Sequence, residues 1–260
     1  MDQTEALPAI EVDHLSTSYR VHMKGSSVLG GFSDLMKRGQ DSDRIVPALR
    51  DVTFDVPRGS VLGVIGRNGA GKSTLLRCLA GILIPEAGRV VVRGRLSTLL
   101  TVGVGMNQNL TGRENIRLGG LAMGLAPERL DAIIDQVTEF AQLGEYVDFP
   151  VDTYSTGMRS RLGFAVVAHL DPEILLIDEA LAGGDSRFQA DTAEKMAELC
   201  YAGRTIVLVS HSLSAIREMS TKAIWMHQGQ IVESGDPEVV AASYMRYCRL
   251  SPDDPVLDDA

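Results

Sequence analysis

The sequence is short of positive charge, of cysteine and of long apolar runs, and each shortage closes off a class of function. Its Lys and Arg number 25 against 34 Asp and Glu, a formal net charge of −9. That balance argues against broad nucleic-acid binding, which needs a basic footprint. The 3 cysteines, Cys78, Cys200 and Cys248, have neither disulfide nor metal-ligand spacing and suit a reducing compartment. No apolar stretch approaches the roughly 18 residues that a membrane-spanning helix needs. The acidic opening MDQTEALPAIE does not read as a signal peptide. A soluble, cytosolic chain is expected, with no internal repeat and no second domain in series.

What is present is ordinary globular chemistry: 260 residues, 45% hydrophobic and 23% charged, enough for one large α/β domain or two small ones. Short apolar runs alternate with helical patterns, which predicts βαβ units and a largely parallel sheet. The opening differs. AIEVDHLSTSYRV and ALRDVTFDVPRGS read as half-buried antiparallel strands, with Val52, Phe54 and Val56 alternating with polar residues before a Pro-Arg-Gly turn. Between them, residues 23–47 are rich in Gly, Ser and charge. They read as a mobile surface loop, with a partner-binding element as the alternative. A helical section is expected over about 107–170. Thr111 and Glu114 have capping-box spacing there, and Pro127 opens a helix with Leu130, Ile133, Ile134, Val137 and Ala141 along one face. Strands EILLI, TIVLV and KAIWM follow. Asp236-Pro237 caps a last helix, and residues 249–260 form an acidic tail.

Chemistry enters at GRNGAGKST, the residues Gly66, Arg67, Asn68, Gly69, Ala70, Gly71, Lys72, Ser73 and Thr74. The run leaves the buried strand VLGVI and enters a helix from Lys72 to about Leu83, the context a phosphate-cradling loop requires. Glycines let backbone N–H groups converge on phosphate oxygens. Lys72 adds a point charge for the β- and γ-phosphates, and Ser73 offers a hydroxyl to Mg²⁺. The apolar strand ILLIDEA ends in two carboxylates. Asp178 would hold Mg²⁺ and Glu179 would orient and deprotonate the attacking water. TIVLVSH ends in His211, a structural histidine or one that reaches the γ-phosphate from a neighbouring parallel strand.

A second helix start is stranger. In DTYSTGMRSRLGFAVV, small hydroxyl residues and Gly157 open an apolar helical run whose first turn carries Arg159 and Arg161. A helix N-terminus is already positive, so the cations imply an anion from elsewhere. One ATP cannot easily serve both sites. Two chains face to face, each offering its YSTGM helix to the other's γ-phosphate, account for it.

In this order the motifs resemble the ATP-binding subunits of ABC transporters, over about residues 9–248. The resemblance implies a P-loop NTPase (RecA-like) α/β core with an N-terminal antiparallel β-subdomain and an inserted α-helical subdomain. Tyr19 then matches the aromatic residue that stacks on adenine. GRNGAGKST is the Walker A loop, TYSTGMRS the signature motif with Ser155 and Gly157 meeting phosphate, and ILLIDE Walker B. AGGD, ending at Asp185, resembles the D-loop, and His211 the switch histidine. The signature departs from Leu-Ser-Gly-Gly-Gln. With GVGMNQNLTGREN, LAGGDSRFQ and the long insertion, it is similar to the branch exporting lipid-linked polysaccharides such as O-antigen, teichoic-acid precursors or cell-wall galactan. The implied assembly is a homodimer on the cytoplasmic face of the bacterial inner membrane. It binds ATP and Mg²⁺, couples to a polytopic permease through the section around Met106–Glu114, and handles no nucleic acid. The position of the family's usual glutamine falls near Thr101 or Val102, with Gln108 close by. The rival readings are an ABC ATPase of DNA repair or translation, an importer ATPase and a nucleotide kinase.

Overall fold

Two β-branched, alternating segments at the start of the chain pair with each other before any helix appears. In the computed structural model, which describes residues 7–22, 43–99, 106–178 and 186–250, β1 (Ile10–His22) runs antiparallel to β2 (Asp43–Val56). β4 (Ala87–Val92) pairs antiparallel on the other side of β1, giving the order β2-β1-β4. The alternation has the expected consequence: Val52, Phe54 and Val56 are buried while Asp51, Thr53 and Asp55 face outward.

The second sheet has the order β5-β6-β7-β3-β8-β9 among the described residues. β3 (Val61–Ile65), β5 (Leu96–Leu99), β6 (Ile174–Asp178), β7 (Thr205–Val209) and β8 (Lys222–His227) are parallel, and β9 (Gln230–Gly235) returns antiparallel on β8. β3 and β7 are buried at every position, as strands covered on both faces must be. One apolar layer joins this sheet to the antiparallel one through Leu75, Leu76 and Leu79 of α1 (Lys72–Leu79). The opposite face packs on α5 (Ser186–Tyr201), α6 (Leu213–Met219) and α7 (Pro237–Leu250). A third apolar cluster lies in the inserted helical layer of α2 (Gly112–Ala122), α3 (Pro127–Ala141) and α4 (Thr156–His169).

Several expectations from sequence stand. Thr111 and Glu114 form both halves of a capping box, and Leu130, Ile133, Ile134, Val137 and Ala141 are the buried face of α3 behind Pro127. The Asp236 carboxylate accepts from the N–H groups of Glu238 and Val239, at 2.9 and 3.3 Å.

Boundaries differ in three places. The proposed 23–47 loop is too long at its end, because residues 43–47 already pair with Ser18–His22 of β1. Ile45 and Val46 favour strand, and Pro47 is tolerated because β2 is an edge. The tail begins too early at 249, since α7 continues to Leu250. α1 ends at Leu79 rather than near Leu83. Gly81 adopts φ 69°, and the N–H groups of Gly81 and Ile82 close on the carbonyls of Cys78 and Arg77. That is a Schellman ending. β4, β5 and β9 have no counterpart in the sequence reading. Residues 23–42 and 251–260 lie outside the described residues.

Candidate functional site

The phosphate loop is shaped from behind by other backbone. Gly66 takes φ 153°, and a Cβ there would run into the Met226 carbonyl at the end of β8. Only glycine meets both demands. Lys72 is 6% exposed, and its ammonium donates to the carbonyls of Gly66 and Arg67 at 2.6 and 2.9 Å. A buried lysine needs such partners. They hold its head against the start of the loop.

Parallel topology gathers the other groups. The carboxyl ends of β3, β6 and β7 share one edge of the sheet, the place where open α/β sheets bind ligands. Asp178 closes β6, and its carboxylate accepts a hydrogen bond from the Ser73 hydroxyl at 2.9 Å. β7 lies between β6 and β3, so His211, two residues past its end, leaves the sheet between Asp178 and the phosphate loop. On the antiparallel side, Tyr19 in β1 sits 3.3 Å, hydroxyl to hydroxyl, from Thr74 of α1. Tyr19 as a whole is 36% exposed and stands beside the phosphate loop. Lys72, Ser73, Thr74, Asp178 and Tyr19 therefore form one connected site. Glu179 and Asp185 lie outside the described residues.

Ser155 and Gly157 belong to a different surface. Ser155 is the N-cap of α4, where its hydroxyl accepts from the Met158 N–H at 3.2 Å. Among the described residues a Cβ on Gly157 would meet only that hydroxyl within 4 Å outside its own helix backbone, at 3.9 Å. No acidic residue stands in the first turn. The arginines prove to have structural work of their own. Arg159 turns back to donate to the Tyr154 carbonyl at 3.1 and 2.9 Å and to that of Asp152 at 3.4 Å. The Arg161 guanidinium stacks 5.4 Å from the Phe188 ring centre. Both arginines thus make contacts within their own chain, to the Asp152 and Tyr154 carbonyls and to the Phe188 ring, which the sequence reading did not expect.

Sequence reasoning missed what holds that start in place. Asn115, 5% exposed, is the hub of the preceding loop. Its amide nitrogen donates to the carbonyls of Asn107, Leu110 and Thr111 at 3.0, 3.2 and 2.9 Å, and its oxygen accepts from the Asn107 N–H at 2.8 Å. The organised loop then receives the segment leading to Ser155: Val151 N–H donates to the Leu110 carbonyl and Asp152 N–H to that of Gln108, both at 3.0 Å. Gln108 is exposed and contributes backbone here; Thr101 and Val102 lie outside the described residues. The available signal was an asparagine inside a helix, where it is a poor former and needs a reason. The Glu114 carboxyl is held below its ordinary value by the Thr111 N–H and hydroxyl, so this cap stays ionised. Among the described residues no helix is long and apolar enough to cross a membrane.

Comparison with known proteins agrees with this geometry. The ABC transporter family model matches residues 49–182. The chain is 40% identical over 240 residues to a teichoic acids export ATP-binding protein of Bacillus anthracis, covering 92% of this chain and 43% of that protein. It is 39% identical over 252 residues to an O-antigen export system ATP-binding protein of Myxococcus xanthus, covering 95% and 58%. The chain thus spans about half the length of these relatives. A solved structure of the ATP-binding subunit of an ABC transporter superposes with a TM-score of 0.72 at 23% identity, over 91% of this chain and 93% of that one, which establishes the shared fold.

Proposed function

The chain belongs to the ABC transporter ATP-binding family, and from that premise we propose that it binds and hydrolyses ATP as a head-to-tail dimer. That dimer would power export of a lipid-linked polysaccharide through a membrane permease. The observation that carries the ATP reading is the connected Lys72, Ser73, Asp178 and Tyr19 site at the carboxyl edge of the sheet. The export reading leans on the names of the relatives, proteins of teichoic acid and O-antigen export. No observation favours the rival role in DNA repair or translation.

In this reading the N–H groups of residues 66–74 cradle the β- and γ-phosphates and Tyr19 stacks on adenine. Lys72 leaves the Gly66 and Arg67 carbonyls for phosphate oxygens. The Ser73 hydroxyl and Asp178 carboxylate, 2.9 Å apart, are hard oxygen donors that suit Mg²⁺. Bound there, Mg²⁺ would neutralise phosphate charge. Glu179 takes the proton of the attacking water, and His211 donates toward the γ-phosphate. The second copy supplies Ser155 and Gly157 at a helix start with no acidic residue to compete, and Asp185 lies at the dimer seam. Neither chain then completes the second phosphate contact alone. The chain would sit peripherally on the cytoplasmic face of the bacterial inner membrane, with the section around Met106–Glu114 against the permease.

Mild-detergent purification of the tagged chain from its own cells tests the export reading. A stoichiometric polytopic membrane protein is the expected companion. A soluble or nucleic-acid companion would retire transport and leave the ATP chemistry standing. Glu179→Gln is expected to keep ATP bound and trap a dimer; near-normal turnover would remove Glu179 from its role.

A further inference from the structure

The last helix reaches the phosphate loop directly. Tyr247 of α7 packs against Trp225 and His227 of β8, with ring centres 5.1 and 5.3 Å apart, and Tyr244 meets Trp225 edge-on at 5.8 Å. The Tyr247 hydroxyl lies 3.5 Å from His227 Nε2. This aromatic stack meets one charged residue of the loop: the Arg67 guanidinium stands 5.1 Å from the Tyr247 ring centre, and Arg67 is only 5% exposed.

Arg67 has two ends with different tasks. Its carbonyl accepts both the Lys72 ammonium, at 2.9 Å, and the Ala70 N–H, at 3.1 Å, so its peptide sets the inner curve of the loop. Its side chain points the opposite way, under α7. A desolvated guanidinium is costly unless something answers its charge, and an aromatic face does so. That face is one of the contacts that hold this guanidinium, and losing it loosens the side chain and the peptide that carries it.

We infer that Tyr247 is a positioning residue for the phosphate loop, acting through Arg67 to hold the backbone that seats Lys72. The inference rests on reading GRNGAGKST as the ATP site, and the experiment separates the two. Mg·ATP affinity is measured calorimetrically on the full chain for wild type, K72A, Y247F, Y247L, R67M and R67M/Y247L, with steady-state kinetics and thermal midpoints alongside. Wild type that binds no ATP, or binds it as K72A does, defeats the nucleotide reading itself.

With that reading intact, Y247F keeps the ring face and stays within about twofold of wild type. Y247L weakens ATP roughly tenfold, the size of a desolvated cation–π contact. KM rises with kcat little changed, because the loss falls on ground and transition states alike. R67M weakens ATP to the same extent, and the double variant loses nothing more. The inference is overturned if Y247L lowers only the thermal midpoint, if Y247F is as weak as Y247L, or if the losses from Arg67 and Tyr247 add. Should Y247L fail to fold, Y247Q takes its place with the same expected and overturning results.

Discussion

Two helix starts in this molecule, those of α1 and α4, carry glycine and hydroxyl residues, and they are embedded in opposite ways. The start of α1 is enclosed: its lysine is buried, its carbonyls are occupied, its serine is bonded to the end of β6, and its first glycine is pressed against β8. The start of α4 is bare. Ser155 caps its own helix, Gly157 is met among the described residues only by the Ser155 hydroxyl, and Arg159 is folded back onto the chain behind. Local sequence is similar in kind, but the surroundings decide how much each can do alone. Among the described residues the enclosed start draws its partners from β6, β8 and its own loop. The bare one has orientation and dipole without such enclosure, which suits the proposal that another surface completes it.

Substitutions that strike one start and spare the other test this contrast. Lys72→Ala has the largest expected effect: loss of turnover by at least about a hundredfold, as when a preorganised donor is removed from developing charge, with ATP affinity lost as well. Gly157→Asp places a carboxylate on the bare start and should cut turnover by a similar order while ATP still binds each chain. Equal losses of ATP affinity in the two variants would show that the starts are not separable.

Gly112→Ala probes the support beneath the bare start. A Cβ there would come within 2.5 Å of the Tyr154 hydroxyl and 3.0 Å of the Val147 carbonyl. Overpacking of this kind costs roughly 1–3 kcal/mol, against at most about 1 kcal/mol returned by helix propensity. Denaturant unfolding should therefore show a net loss.

The smallest effect concerns pH. His169 of α4 packs against Phe140 of α3 at 5.2 Å between ring centres and bonds the Ala165 carbonyl, while Lys195 and Glu198 face it from α5. Glu139 and Asp191 line the same cavity. Burial, first, and then Lys195 hold its pKa below the ordinary 6.5. The unfolded chain therefore binds the proton first, and stability falls as pH drops through 6.5 toward the folded value, by at most about 1.4 kcal/mol per pH unit. His169→Gln should flatten that part of the stability profile; an unchanged profile would assign the acid sensitivity elsewhere.

Much of the core was legible because its signals are local. VLGVI, EILLI and TIVLV are apolar runs of strand length, and the loop after VLGVI has a spacing that chance rarely produces. The capping box at Thr111 and the buried face of α3 are equally short-range. Some of what stayed hidden depends on distant partners. Leu96–Leu99 is a strand because β6 lies alongside it, and Asp43–Pro47 because β1 extends to meet it. The tight turn at Gln228-Gly229 that returns β9 was visible in principle, since both residues take positive φ and such a pair favours a hairpin. Arg159 and Asn115 stayed hidden although their partners lie close in sequence, because a side chain folding back on nearby carbonyls leaves no periodic signal; the contact of Tyr247 with Arg67 joins distant elements.

The bonds from Asn115 have a practical bearing on exchanging parts between related chains. Residues 107–111 and 150–154 form one small plate, stitched by the carbonyls of Gln108 and Leu110 and wedged where Gly112 admits Tyr154. A graft that imported a foreign signature segment alone would set its new leading residues against an old plate shaped for others. The transplantable module is therefore discontinuous in sequence, and both halves must travel together for Ser155 to keep its aim.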